Sequence, residues 1–359
     1  MRILMLVNWK IQYCSEIPAD KQPPDYYVEN EPYWFYRYFS EEHEIDVVGM
    51  KSFKWLEHFE QFKLRFYLSQ TLKVVTRLHK YDLIVSHSMQ SGVAISLLRR
   101  FIKTKAKHIV FDIGSFASAS EQGLALKLMQ FASKSIDGII YHTSSQRDYY
   151  QKFFPWIVEK SKFIRFGTDL QFFNPSELTG KSDKDSYIVC VGYSKRDWDT
   201  LVEAYKLLKT DVKLRLVGHV EEKYTSVRGV EQIPFVPIKE AIDQINNALF
   251  SVLPLESFNY SYGQMTLMQQ MALKKCVLTA RVPSLVDYIE DMKTAVLYEP
   301  KSICDLAEKM ELLIRNDELR NEIGNNAADY LMNECNEQTM AIEVEKFYNK
   351  VINGGMNDE

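Results

Sequence analysis

The stretch 174–192, NPSELTGKSDKDSYIVCVG, decides the architecture. Its polar first part, 174–186, carries proline and aspartates and no apolar period, so it reads as a linker. The run that follows, YIVCVG at 187–192, is a buried strand, and with it a pattern already used upstream begins again. Upstream, candidate strands at 2–7 (RILMLV), 45–49 (IDVVG), 82–86 (DLIVS), 108–113 (HIVFDI) and 136–142 alternate with amphipathic helical stretches. Downstream, strands at 187–192, 212–217 (VKLRLV), 248–253 (ALFSVL) and 275–280 (KCVLTA) alternate with helical runs such as 197–209 and 239–247. Apolar runs separated by helices of this length are parallel strands covered on both faces. Two such units in succession predict an α/β protein with two Rossmann-like domains facing each other across a cleft. Ligands of these sheets bind beyond the carboxyl ends of the strands, which makes the cleft the default site.

Composition agrees with a globular chain of that size. The 359 residues exceed what one core usually supports, and 46% apolar with 26% charged residues is an ordinary balance. No stretch approaches 18 uncharged apolar residues, and the N-terminal MRILMLVNWK reads as a first strand rather than a signal peptide. Cys14, Cys190, Cys276, Cys304 and Cys335 are scattered and lack a CxxC pair, so a disulfide framework or thiolate zinc site is not expected and a cytoplasmic location fits. The net charge of −4 hides a basic N-terminal half and an acidic C-terminal half. Between Lys51 and Lys107 there are 12 basic residues against three acidic ones, interleaved with Phe53, Trp55, Phe59, Phe62, Phe66, Tyr67 and Phe101. Such a mixture reads either as a solvated face or as peripheral contact with an anionic membrane surface. Nucleic acid is not expected, because the whole chain is acidic and no binding motif appears.

Several chemistries lack their minimal residues. GxGxxG does not follow the first strand; a long loop from Asn8 to Asp25 does, leading into Tyr33, Trp34, Phe35, Tyr36, Tyr38 and Phe39, read as core packing of a first helix. A dinucleotide dehydrogenase is therefore disfavoured. HExxH, GxSxG and P-loop motifs do not occur, and an acidic D-x-D metal-holding pair is not expected.

The segment that carries chemistry is 252–272, VLPLESFNYSYGQMTLMQQMA. A buried strand leads to a carboxylate, Glu256, then an aromatic loop, then Gly263 opening a helix. Glycine there lets a ligand approach the backbone, and the N–H groups of Gln264, Met265 and Thr266 form an anion or hydroxyl site. Glu256 would project into the same pocket.

These residues resemble the family 4 retaining glycosyltransferases of the GT-B fold. Pro254, Glu256, Gly263 and Met271-Ala272 follow the order of that family's P-x-x-(E)-x-G-(x)-E-A-M-A pattern. Phe166-Gly167-Thr168-Asp169, followed by Phe172, Phe173 and Pro175, looks like its crossing between domains. The run from Gly192 to Leu201, GYSKRDWDTL, is similar to its diphosphate-binding turn, and 317–327 to its penultimate helix. The resemblance covers 160–330 well and 1–150 only by strand order. Three departures stand out. Gln269 takes the place of the second glutamate of the paired motif; the Gly-Gly loop after the first strand is missing; and the fourth strand ends Asp112-Ile-Gly-Ser115 rather than on histidine.

The resemblance implies transfer of a sugar from a nucleoside-diphosphate donor to a hydroxyl acceptor (a glycan, polysaccharide or lipid-linked molecule), with retention. It implies no metal and no resident cofactor. Fixed cations and amides would then have to meet the charge of the departing diphosphate. Arg196, whose planar fork matches phosphate oxygens, would do so together with Lys195; an intrahelical pair with Asp197 or Asp199 is the alternative for Arg196, and Asp197 with Thr200 would cap the following helix. Glu256 and the amides after Gly263 would hold the sugar, Gln269 the ribose, and Gly218 and Val236 the nucleotide base. Glu256 and Arg196 are the catalytic candidates. On the acceptor side the candidates are His87, Ser115 and His142, each at or beyond a strand end of the first domain. The domains implied are 1–170 and 171–336, with a final helical segment, 337–359, crossing back onto the first. Two rival readings stay open: an inverting GT-B enzyme or epimerase using a base such as His87, and a non-catalytic sugar-nucleotide-binding partner of a transferase, suggested by Gln269.

Overall fold

The computed structural model describes residues 1–18, 20–50, 56, 58–64, 66–114, 116, 121–174, 186–192, 194–218, 221–258 and 260–354. The chain divides into two compact units, one comprising Met1–Arg165, Asn259–Ser261 and Met340–Glu359, the other Phe166–Phe258 and Tyr262–Thr339.

The strands of the first unit are β1 (Arg2–Leu6), β2 (Gln12–Cys14), β3 (Tyr26–Val28), β4 (Glu44–Val48), β5 (Leu83–His87), β6 (Lys107–Asp112), β7 (Gly138–Tyr141) and β8 (Ser161–Phe163). Six form a parallel sheet in the order β4-β1-β5-β6-β7-β8. Ile3, Leu4, Met5 and Leu6 are fully buried, as are Leu83, Ile84 and Val85, because helices cover both faces. The loop from Asn8 to Asp25 contains β2, which pairs in parallel with β3, so it is not wholly irregular. The aromatic cluster is not a regular first helix either: Trp34–Tyr38 form a 3-10 turn, and Tyr33, Trp34, Phe35 and Tyr36 are buried. Bulky rings at consecutive positions need burial on all sides, which one face of an α-helix cannot give.

The final helix, Glu337–Ile352, completes this unit. Tyr348 meets Tyr36 hydroxyl to hydroxyl at 3.3 Å, and the Glu345 carboxylate accepts the N–H of Ser40 at 2.9 Å. Gly138 on β7 leaves room for it; a Cβ there would lie 3.0 Å from both Phe347 and Val351.

The second unit contains β9 (Tyr187–Val191), β10 (Lys213–Val217), β11 (Val230–Ile233), β12 (Ser251–Leu253), β13 (Val277–Ala280) and β14 (Val296–Tyr298), parallel throughout in the order β11-β10-β9-β12-β13-β14. Chain order reverses between β9 and β12. In an open α/β sheet that reversal leaves a crevice at the strand ends, because successive connections leave on opposite faces. The first unit has its reversal between β1 and β5. Helices Trp198–Lys206 and Ile238–Asn247 occupy the two helical runs expected from the sequence. No helix among the described residues is long and apolar enough to cross a membrane.

Candidate functional site

In the second unit the residues singled out by the sequence gather at the crevice between β9 and β12. The backbone after β9 turns sharply through Gly192, at φ +131°, and Lys195, at φ +54°. It then runs beside the segment after β12: Arg196 bridges Leu255, the Asp197 N–H donates to Pro254 O at 2.6 Å, and the Glu256 N–H to Lys195 O at 3.3 Å. This short pairing sets Glu256, an exposed carboxylate, next to Lys195 and Arg196.

Arg196 is only 8% exposed. Its guanidinium donates to Ser194 O at 3.0 Å, Val191 O at 3.3 Å and Thr266 Oγ1 at 3.3 Å. The intrahelical pair is not made. Asp197 caps the helix Trp198–Lys206 by accepting the Thr200 N–H, and pairs with Lys301 at 3.0 Å. Asp199 accepts from Lys223 at 2.8 Å and from the Tyr224 hydroxyl at 2.7 Å, contacts that hold its carboxyl below the ordinary range. The D-x-D spacing is present at Asp197 and Asp199, against the expectation that no such pair occurs, and both carboxylates are engaged in these structural contacts. Gly192 is required by the arginine itself, since a Cβ there would lie 2.6 Å from Nη2 of Arg196.

Thr266 belongs to the helix Gln264–Ala272, which Gly263 opens at φ +87°. A Cβ on Gly263 would meet Leu255 Cδ1 at 2.3 Å, so glycine lets the helix start hard against the β12 loop. Leu267 makes the first intrahelical bond, to Gly263 O, and the amides of Gln264, Met265 and Thr266 precede it at the positive end of the helix dipole. The Gln264 side chain is committed to Ser284 O at 2.7 Å, leaving its backbone amide as its contribution to the site. Met265 is exposed, while Gln269 lies half-buried one turn after Thr266. Gly218, at φ +92°, ends β10 beside the Gly192 carbonyl, and Val236 is half-buried in the loop after β11.

Lys195 has a setting the sequence did not disclose. Its ammonium lies 4.5 Å from the ring centre of Phe258 and 4.4 Å from that of Tyr262, and the Tyr262 hydroxyl donates to Ser194 O at 2.7 Å. The aromatic loop thus clamps the turn that carries Arg196.

The acceptor-side candidates lie in the first unit. Ser115 is outside the described residues. His87 ends β5, buried, at its own unit's reversal point, with Trp9 at 4.6 Å, Trp34 at 5.5 Å and Phe111 stacked at 5.6 Å between ring centres. Neither ring nitrogen of His87 has a hydrogen-bond partner among the described residues. Burial, with His142 nearby, pushes its pKa down to about 3. His142 follows β7 on the other side of Phe111, its Nδ1 2.7 Å from Ile164 O; burial pushes it down to about 4 against the raising effect of that bond. The hydroxyls of Ser88 and Ser91 beside His87, which the sequence reading did not select, are buried without partners among the described residues.

Two Rossmann-like units of this build define the GT-B fold of glycosyltransferases. The chain is similar over 99% of its length to all of sucrose-phosphate synthase from Thermosynechococcus elongatus, with a TM-score of 0.71 at 16% identity. It is similar over 98% of its length to all of HepE from Anabaena, solved in complex with UDP, with a TM-score of 0.69 at 13% identity. In sequence, residues 175–330 match the family of glycosyl transferases group 1. The capsular polysaccharide biosynthesis glycosyltransferase CapM of Staphylococcus aureus is 28% identical over 163 residues, 42% of this chain and 42% of that protein. The match therefore spans about two fifths of the curated relative's length.

Proposed function

We propose that the chain is a glycosyltransferase that moves a sugar from a nucleoside-diphosphate donor to a hydroxyl acceptor, with retention and with neither a metal nor a resident cofactor. The observation that carries this reading is the Arg196 guanidinium, fixed by two backbone carbonyls at the strand-order reversal and facing Thr266 in the first turn of a helix. A preorganised planar cation beside a helix N-terminus suits a diphosphate, whose charge grows as the glycosidic bond breaks. Glu256 and the amides of Gln264, Met265 and Thr266 would hold the sugar, Gln269 would accept from the ribose hydroxyls, and Gly218 and Val236 would border the base. Lys195, clamped between two rings, would add positive potential rather than a direct contact. Retention would proceed by departure of the diphosphate on the face where the acceptor arrives, a diphosphate oxygen taking the acceptor proton.

Structures of HepE with UDP and with UDP-glucose, and the capsular role in CapM's name, support a nucleotide-sugar donor and a glycan acceptor. A cytoplasmic setting agrees with the cysteines, which form no disulfide among the described residues. The inverting alternative would need His87 as base, and its burial among aromatic rings makes it a poor proton acceptor near neutrality. The non-catalytic alternative rests on Gln269 replacing a carboxylate. Calorimetric titration with a panel of nucleoside diphosphates, followed by product assays with the matching sugar donors and anomeric analysis by NMR, tests the set. Tight binding with retained configuration is expected. Binding without turnover on any acceptor would favour the non-catalytic partner, and no binding at all would remove both readings.

A further inference from the structure

We propose that the adjoining ends of helices Met89–Phe101 and Leu124–Ser133, in the first unit, form a docking surface for an anionic phospholipid bilayer. The sequence placed peripheral membrane contact within 51–107, of which residues 51–55, 57 and 65 lie outside the described ones; the surface proposed here takes the end of that stretch and adds a second helix. On Leu124–Ser133 the exposed residues Leu124, Leu128 and Phe131 recur at i, i+4 and i+7, which puts them on one stripe facing away from the buried Leu126 and Met129. Leu124 is 85% exposed. The neighbouring helix ends in Phe101, 79% exposed, and Ile102, and the ring of Phe101 lies 6.3 Å from that of Phe131. Five large exposed apolar side chains, joined across the two helices by the Phe101–Phe131 contact, are a patch rather than scattered exposure.

Charge selects the occupant. The Arg100 guanidinium lies 5.0 Å over the Phe131 ring, Lys103 and Lys105 follow Ile102, and Lys127 and Lys134 flank the leucine stripe. None of these five cations makes an ion pair among the described residues. The nearby carboxylates are already taken: Asp137 by Arg99 at 2.8 Å and Lys107 at 3.8 Å, Glu121 by Lys152 at 3.1 Å. A groove of about 470 Å³, lined in part by Val75, Leu78, Leu98 and Ile102 with Lys103 and Lys105 among its walls, extends the patch. Exposed leucine and phenylalanine surrounded by unneutralised cations match the two layers of a bilayer interface, acyl chains beneath and anionic headgroups above. A nucleic acid would use the cations and leave the leucines in water.

Sedimentation of the full chain with vesicles of phosphatidylcholine, alone or with graded phosphatidylglycerol, tests this. Binding should rise with anionic lipid and fall with salt. Lys103→Ser with Lys105→Ser should weaken it about five-fold per charge at low salt. Leu124→Ser with Leu128→Ser should weaken it roughly tenfold or more at every salt concentration. A fluorophore on Leu124→Cys provides a second readout should the double variant fold poorly, and should shift to the blue on anionic vesicles only. No pelleting at low salt, pelleting indifferent to both pairs of substitutions, or an unshifted fluorophore on vesicles that do pellet the protein would overturn the proposal. So would a dimer of the unsubstituted chain that the leucine substitutions separate, since the face would then belong to a second copy.

Discussion

Arg196 donates to Thr266 Oγ1 across 3.3 Å, joining the turn after β9 to the first turn of the helix that follows β12. The two strands are sheet neighbours but lie some sixty residues apart in sequence, so the contact exists only once the sheet has reversed its order. With the Val191 and Ser194 carbonyls it fixes the guanidinium in place before any ligand arrives.

Replacing this cation should therefore act twice. Arg196→Ala is expected to weaken nucleoside-diphosphate binding by about 1.5–3 kcal/mol, the range for hydrogen bonds to charged groups. The sequence alone suggested a surface turn whose loss the fold would scarcely feel. Buried and bonded to two carbonyls, the side chain should also contribute on the order of 1 kcal/mol to stability. Titration calorimetry and urea unfolding check the two effects separately, and unchanged affinity would remove Arg196 from the site.

Gly192→Ala probes the same geometry without touching charge. The new methyl would press on the guanidinium and the residue would be held at a strained φ. A loss of roughly 1–3 kcal/mol in stability is expected, with weakened nucleotide binding although Arg196 is still present. Unaltered affinity in a folded variant would show that the arginine's position does not matter.

Glu256→Gln keeps the size of the side chain and removes its charge. Turnover should fall by two orders of magnitude or more, about 3 kcal/mol in barrier height, while affinity for the free nucleoside diphosphate stays nearly constant. Equal losses in both would place Glu256 on the nucleotide instead of the sugar. The companion Gln269→Glu should keep or tighten the ribose contact, and a collapse of nucleotide binding would show that the helix had been aligned wrongly.

The buried histidines predict a pH dependence of stability. His87, at about 3, and His142, at about 4, are protonated in the unfolded chain near 6.5. Between those values the unfolded state binds more protons, so stability is complete above pH 6.5 and declines as pH falls toward 4. Each histidine contributes up to about 1.4 kcal/mol per pH unit in that window. Urea unfolding at pH 5 and 7.5 should show the difference, and His87→Phe, which suits an aromatic cage, should shrink it. An unchanged difference would mean that His87 is not buried neutral.

The alternation of apolar runs made the two parallel sheets legible, since each long strand is covered on both faces and needs no partner to be recognised. Short strands such as Ser161–Phe163 and Val296–Tyr298, and the β2–β3 pair, escaped because three residues carry no period. Among the candidate site residues, the local placement of Gly263, Thr266 and Arg196 could be read because a helix start and a turn leave local signatures. The clamp of Phe258 and Tyr262 on Lys195 could not, and neither could the diversion of Asp197 to Lys301, for both depend on contacts between segments far apart in the chain.

The helix Glu337–Ile352 has a consequence for the order in which this protein is made. Tyr36 and Gly138 on β7 find their partners, Tyr348, Phe347 and Val351, on a helix translated only after the whole second unit. Until then the first sheet stands with one wall unbuilt while the entire second unit is synthesised. Purified chains truncated after Thr339 should accordingly hold a protease-resistant second unit and a first unit that is still cut, and the first should become resistant once residues 340–354 are restored.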